Sequence, residues 1–281
     1  MTSRAVLVVG MHRSGTSAIA RGLAALGVYL GNDFLDAQPE NPTGYWEDKG
    51  IVEIDERVLK ALNLRWDDAA PIGPAGFRRL RIRMLQFAAA RYLKRTFASH
   101  PLWGFKDPRT IRLLPFWRAV LRSCRADDAY VLAIRNPRSI EHSLFRRQSM
   151  NAATAQRLWL VHMVPYLRLI RGRPMVVVDY DLLMREPRPQ LERIARRLDL
   201  PEPDPREIDR FVAEFLDETL RHSVFAPDDD AGAPTELGRL TQHAYRLLYD
   251  LAMDRYDPSD NSFWMAWEEI ERAYGSSSAE C

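Results

Sequence analysis

The chain has 281 residues, 46% hydrophobic and 28% charged, enough for one large α/β domain or two small ones and too apolar for disorder. Its 40 basic and 38 acidic residues leave a net charge of +2, which excludes any global argument for a nucleic-acid partner. Two cysteines, Cys124 and the terminal Cys281, offer neither a disulfide framework nor metal-ligand spacing.

Ala5-Val-Leu-Val-Val9 is a continuous branched apolar run, as expected of a buried parallel strand, and is too short for a secretion signal or a membrane span. A cytoplasmic, reducing location is the simplest expectation, with no transmembrane segment. A glycine-containing turn follows, and then Ile19, Leu23 and Leu26 recur at helical spacing up to a stop at Gly27. Residues 31–46, rich in Pro, Gly, Asn and Asp, read as a long loop and a lid candidate. Helices are predicted over Ile51–Leu62 and Phe77–Phe97, the latter with an apolar stripe opposite many arginines. Leu102-Trp-Gly-Phe105 is a short strand ending at Lys106, and Asp107-Pro108 starts a helix because Asp caps well and Pro suits the first turn. Ala129–Ile134 is a second strong strand, Asn136-Pro137 opens a helix to about Met150, a further helix spans 153–171, and Met175–Val178 is a third strong strand. Helical patterns dominate from 187 onward. Pro227–Pro234 reads as a polar loop, and the tail from about Gly275 as frayed or disordered. Strands alternating with helices predict an α/β fold, a P-loop-type parallel sheet flanked by helices with a helix-rich C-terminal part, in a single domain over 1–281.

The turn Gly10-Met-His-Arg-Ser-Gly-Thr-Ser17 has the G-x-x-x-x-G-x-S frame of a phosphate loop, set between a strand and a helix. Thr16 stands where a nucleotide triphosphatase has its lysine, so a triphosphate would lack its main counter-charge. Arg13 lies inside the loop instead. One loop cation and no metal suit a phosphosulfate, which carries less charge.

Three segments, Gly10-Met-His-Arg-Ser-Gly-Thr16, Lys106-Asp-Pro-Arg-Thr110 and Arg135-Asn-Pro-Arg-Ser-Ile-Glu-His-Ser143, follow one another in order with a strand before each. In this the chain resembles the sulfotransferases that use 3′-phosphoadenosine-5′-phosphosulfate (PAPS), in particular bacterial glycan-type members, with motifs similar to those of tyrosylprotein sulfotransferases. The likeness spans roughly residues 4–150. It implies that Arg13, Ser14, Gly15, Thr16 and Ser17 hold the 5′-phosphosulfate, and that Arg135 and Ser143 bind the 3′-phosphate. Ser139 and Ser143 share a helix face, so a phosphate along that face would reach both the serine and the arginine.

Sulfuryl transfer to a hydroxyl needs charge stabilisation on the bridging oxygen, for which Arg13 and Lys106 are the candidates, and a general base. Glu47 is the base that the resemblance favours, with Asp48 and Asp107 as alternatives; Asp107 has a competing role as a helix cap. Tyr45 and Trp46 offer the burial that tunes a base toward neutrality. The implied acceptor is a hydroxyl on a glycan, a glycolipid or a small metabolite, with no metal and no nucleic acid. Trp66-Asp-Asp68 is a candidate acceptor-cleft wall, and Leu220-Arg-His-Ser223 a candidate late basic segment near the donor. Two other readings stay open: an atypical P-loop kinase or NTPase, which requires magnesium ligands and a displaced lysine, and a non-catalytic nucleotide-binding module.

Overall fold

The structure, a computed structural model, describes residues 3–38, 44–215, 225–226 and 235–279. Four parallel strands, β1 (Ser3–Gly10), β2 (Leu102–Lys106), β3 (Ala126–Ile134) and β4 (Met175–Asp179), form one sheet in the order β2-β1-β3-β4. Alternation along the strands divides their side chains between two faces. Leu7, Val9, Tyr130, Leu132 and Val177 point into one core, while Val6, Val8, Val131, Val176 and Val178 point into the other. Both faces are covered, which is why the strands read as unbroken apolar runs.

The smaller core is closed by α1 (Thr16–Ala25), α8 (Pro187–Arg197) and α9 (Pro205–Phe215). The larger core is closed by α2 (Lys49–Ala61), α3 (Leu80–Phe97), α4 (Leu114–Cys124), α6 (Ala152–Leu167), α10 (Glu236–Ala252) and α11 (Asn261–Ala279). The remaining helices, α5 (Pro137–Gln148) and α7 (Tyr180–Arg185), start at the carboxyl ends of β3 and β4. The helix-rich C-terminal part is therefore not an appendage. Tyr245 of α10 and Trp267 of α11 are fully buried in the core that covers the sheet.

Several boundaries differ from the sequence reading. Asp107-Pro108 opens a 3-10 turn, Pro108–Ile111, and α4 begins only at Leu114. A second 3-10 turn, Gly76–Arg78, precedes α3, so that helix starts three residues after Phe77. The short α7 was not anticipated; Asp179 caps it by accepting from the N–H groups of Asp181 and Leu182. Helix α11 continues through Gly275, where the sequence suggested a frayed tail. Pro227–Pro234, Leu220–Ser223 and Cys281 lie outside the described residues.

The strand order places a topological switch between β1 and β3, whose successors leave toward opposite edges of the sheet. Open α/β sheets bind ligands outside the carboxyl ends of their strands at this position. Register brings the pairs Val8–Lys106, Gly10–Ala133 and Ile134–Asp179 to that edge.

Candidate active site

The loop after β1 is built around two positions that only glycine can occupy. Gly10 has φ 152°, and a Cβ there would lie 2.5 Å from the Ala133 carbonyl oxygen on β3. Gly15, at φ 83°, caps α1, and a Cβ there would fall 2.1 Å from the ring of Tyr180. Close backbone approach on both sides draws the loop tightly over the switch point. Among the described residues no side chain caps α1, so the N–H groups of its first turn face the loop as an anion site would require. Ser14, fully buried, donates its hydroxyl back to the Met11 carbonyl at 2.6 Å and closes the loop on itself.

Arg13 adopts φ 69° and donates Nε–H to Ser143 Oγ at 2.8 Å, 130 residues away on α5. The loop arginine and the helix serine, expected at opposite ends of a two-phosphate clamp, are thus in direct contact. Burial, Arg147 and Arg135 all push the Arg13 guanidinium below its usual range. Three guanidinium groups held close enough to repel one another form a site that an anion would relieve. Arg135 is buried, lies 4.7 Å above the Tyr180 ring and comes within 3.8 Å of Asp181. Tyr180 therefore sits between Gly15 and Arg135 and fixes the spacing of the two segments.

Opposite this cationic corner is a buried ion pair. Lys106, at the end of β2, donates to Glu47 Oε1 at 2.6 Å and to Ser17 Oγ at 3.2 Å. Their side chains are 1% and 8% exposed. Glu47 comes from the long loop, which is folded back on itself: Leu35 N–H donates to the Glu47 carbonyl, and Lys49 N–H to that of Asp33. Ser17 donates to the Tyr45 carbonyl at 3.0 Å, pinning the loop to the first turn of α1. Trp46 takes a left-handed φ of 56°, an uncommon conformation for a bulky residue, and this turn aims Glu47 inward. Its ring packs on Phe34 and beneath the Arg21 guanidinium.

The other two carboxylates face different tasks. Asp48 caps α2 by accepting from Ile51 N–H at 3.0 Å, and also accepts from Tyr92 OH at 2.5 Å. Asp107 caps the 3-10 turn through Arg109 N–H and takes both hydrogen bonds from the Arg109 guanidinium at 2.8 and 3.0 Å. Burial raises Asp107 to about 6 against the pull of Arg109. Arg109 also approaches Glu47 at 3.8 Å. Of the three candidate bases, Glu47 is the one that meets Lys106 and Ser17.

The chain belongs to the sulfotransferase family. The model of that family matches residues 5–204, which includes every segment of the site just described. No curated protein matches this chain. Similarity to solved structures extends to the sulfotransferase domain from the olefin synthase of Synechococcus PCC 7002, at 14% identity and TM-score 0.46 over 98% of this chain and 96% of that one. The sulfotransferase domain from the curacin biosynthetic pathway aligns at 12% identity and TM-score 0.47, over 95% and 97%. Sulfotransferase STF1 from Mycobacterium tuberculosis H37Rv aligns at 14% identity and TM-score 0.49, over 87% and 77%.

Four residues of this sulfotransferase's site were not singled out in its sequence. Arg109 bridges Glu47 and Asp107, and its place in Lys106-Asp-Pro-Arg-Thr110 was the available signal. Arg147 and Tyr180 carry no such signal, because each acts through a contact distant in sequence. His12 lies in the loop itself, with its ring 4.5 Å from that of Trp66 and 6.0 Å from that of His162. Burial and then His162 drive the His12 imidazole well below its usual range, so it is neutral at physiological pH. Trp66, half-buried, thereby forms a wall beside the phosphate loop, and its neighbours Asp67 and Asp68 are held by Arg65.

Proposed function

We propose that this sulfotransferase moves the sulfuryl group of PAPS to an acceptor hydroxyl, on a carbohydrate or glycolipid, by in-line transfer without a metal. The observation that carries this reading is the buried Lys106–Glu47 pair, 2.6 Å apart and tied through Ser17 to the first turn of α1. A cation and a base are thereby held side by side at the mouth of an anion loop. The donor supplies an activated sulfuryl group whose departure leaves negative charge on a bridging phosphate oxygen.

The residues of this chain divide the work. The loop Arg13–Ser17 and the first turn of α1 hold the 5′ end through backbone N–H groups and the Arg13 guanidinium. Arg135 and Ser143 hold the 3′-phosphate, with Arg13 shared between the two ends. The fit is supported by the crowding of Arg13, Arg135 and Arg147, which two phosphates would offset. Lys106, within reach of both the loop and Glu47, stabilises charge developing on the leaving oxygen. Glu47 accepts the hydroxyl proton as the acceptor oxygen bonds to sulfur. Trp66 and His12 line the approach, an aromatic surface of the kind on which a sugar ring packs. The proposed reaction is cytoplasmic and carried out by residues 1–281 as one domain, a reading supported by the way α10 and α11 share the core behind the sheet.

Calorimetry tests the donor assignment. Adenosine 3′,5′-bisphosphate is expected to bind without magnesium at least about tenfold more tightly than AMP, the difference of one well-placed charged contact. Equal affinities would remove the 3′-phosphate site from Arg135 and Ser143. An Arg13→Ala protein that retained full sulfuryl transfer would remove that residue from the mechanism.

A further inference from the structure

Helix α3 has two apolar faces, of which the core uses one. Ile82, Leu85, Ala89, Leu93 and Phe97 are buried against α2 and α4. Leu80, Met84 and Phe87 are 73%, 66% and 68% exposed. Spacings of four and three residues put these three in one line along the helix. Single exposed apolar side chains are ordinary on a protein surface, whereas an aligned group of large ones marks an interaction site.

The surroundings of this stripe are basic. The α3 sequence LRIRMLQFAAARYLKRTF contains no acidic residue and five basic ones, all exposed. At about 100° per residue, Arg83 and Lys94 fall on one side of the stripe, Arg81 and Arg95 on the other, and Arg91 continues its line. Arg78 and Arg79 immediately precede the helix and are also exposed. A groove beside the stripe is lined by Arg57 and Lys60 of α2 together with Arg81, Met84, Leu85 and Ala88. Of these cations, Arg57 is partly offset by Glu53 at 3.5 Å.

We propose that this face of α3 docks the protein on an anionic phospholipid surface, with Leu80, Met84 and Phe87 entering the interface and the flanking arginines engaging headgroup phosphates. Apolar side chains in line between basic flanks are what an interfacial helix presents to acidic lipid. A second copy of the chain is a poor occupant, because a two-fold pairing through this face would set like charges against one another. Among the described residues no helix is long and apolar enough to cross a membrane. With five basic residues in eighteen, α3 itself suits attachment to a surface and not insertion.

The placement has a consequence for access. Tyr92, two turns beyond Met84 and about 12 Å along the helix, hydrogen-bonds Asp48, the neighbour of Glu47. Docking through α3 would hold the Glu47 side of the sheet near the lipid headgroups. The inference does not rest on the donor or acceptor assigned above, and vesicle binding reads it without any turnover.

Flotation with phosphatidylcholine vesicles, with and without about one-third phosphatidylglycerol, is the direct test. The full chain is expected to bind the anionic vesicles at least tenfold more tightly than the neutral ones, and to release them in about 0.5 M salt. Replacing Leu80, Met84 and Phe87 together by Ser, or Arg81, Arg83 and Arg91 together by Glu, is expected to lower that binding at least tenfold with the far-ultraviolet circular dichroism unchanged. Hydrogen exchange on the unaltered protein gives a second readout, with vesicle-induced protection expected over 80–95. Absence of vesicle binding, binding equal in the parent and both variants, or protection confined to another surface would overturn the proposal. So would a dimer that the triple Ser variant dissociates while the parent ignores vesicles.

Discussion

The Lys106–Glu47 pair separates a chemical role for Glu47 from a structural one. Both side chains are almost wholly removed from water, so neither charge is screened and each depends on the other. Lys106→Met leaves the Glu47 carboxylate with Arg109 at 3.8 Å as its nearest remaining cation. Breaking a buried pair in this way costs about 3–5 kcal/mol. Glu47→Gln is milder, because its amide oxygen can still accept from the ammonium and Ser17 Oγ still lies 3.2 Å away; about 2 kcal/mol is expected. In the double variant the uncompensated charge is gone, so its loss should fall short of the sum by about 1–3 kcal/mol. Urea unfolding measures all three. Activity separates them differently. Glu47→Gln is expected to lower kcat by about 10²–10⁴ while adenosine 3′,5′-bisphosphate binds within about threefold of the parent. Lys106→Met should weaken both. Asp48→Asn and Asp107→Asn serve as controls, because an amide oxygen can still accept the capping N–H bonds; kcat is expected to stay within about tenfold. A Glu47→Gln enzyme turning over within about tenfold of the parent would refute Glu47 as the base, and additive stability losses would refute the pairing.

Further outcomes follow from other contacts. Gly15→Ala forces a methyl into the Tyr180 ring and an alanine into φ 83°, and Arg135 rests on that ring; calorimetry should show bisphosphate affinity down at least about tenfold, and unchanged affinity would mean that Tyr180 does not set the clamp. Arg193 of α8 donates to the carbonyls of Val177 and Leu251 and to both oxygens of Asp254. Arg193→Met leaves the buried Val177 and Leu251 carbonyls without that donor, while the more exposed Asp254 keeps Arg197 at 2.8 Å; about 2–3 kcal/mol is expected, and a loss below about 1 kcal/mol in urea would contradict that. Asp179 is raised to about 7, first by burial and then by Asp181. A carboxyl raised on folding favours the folded state most below its unfolded value and loses that contribution as pH rises through about 7. Between pH 5 and 8 the parent should therefore lose about 2 kcal/mol that Asp179→Asn does not lose; parallel stability profiles for the two proteins would sink this. His162 donates Nδ1–H to the Leu158 carbonyl and is lowered by burial to about 3. Its contribution is intact above the ordinary histidine value and falls away as the protein is acidified toward 3, so His162→Gln should flatten the acid limb of the unfolding curve.

The strands and the loop were legible because each rests on local chemistry. An unbroken branched apolar run reads as a strand buried on both faces, and a glycine turn running into a helix presents the backbone N–H groups that make it a candidate anion site. The capping roles of Asn136 and Asp107 were legible for the same reason, each being satisfied within three residues. Candidate-site geometry was legible only in part. Arg13, Lys106, Glu47, Arg135 and Ser143 could be named, but the Arg13–Ser143 contact, the return of the long loop to Ser17 and the wedge of Tyr180 all join positions far apart in sequence. No periodicity encodes such contacts.

Helix α3 shows the limit most clearly. Its sequence shows an apolar stripe opposite many arginines, which a globular protein would resolve by burying the stripe and solvating the charges. Eighteen residues of this composition carry two stripes, however, displaced from one another around the helix. Ile82, Leu85, Ala89, Leu93 and Phe97 fill the gap beside α2 and α4; Leu80, Met84 and Phe87 then have to face outward among the arginines, whatever the rest of the fold does. Which stripe is core follows from packing, and periodicity is silent on it. Burying both would require another layer over α3, and the basic flanks would then lose their water without gaining acidic partners. An anionic lipid surface resolves the conflict that a protein layer would not: it covers the apolar side chains and leaves the guanidinium groups paired with phosphate.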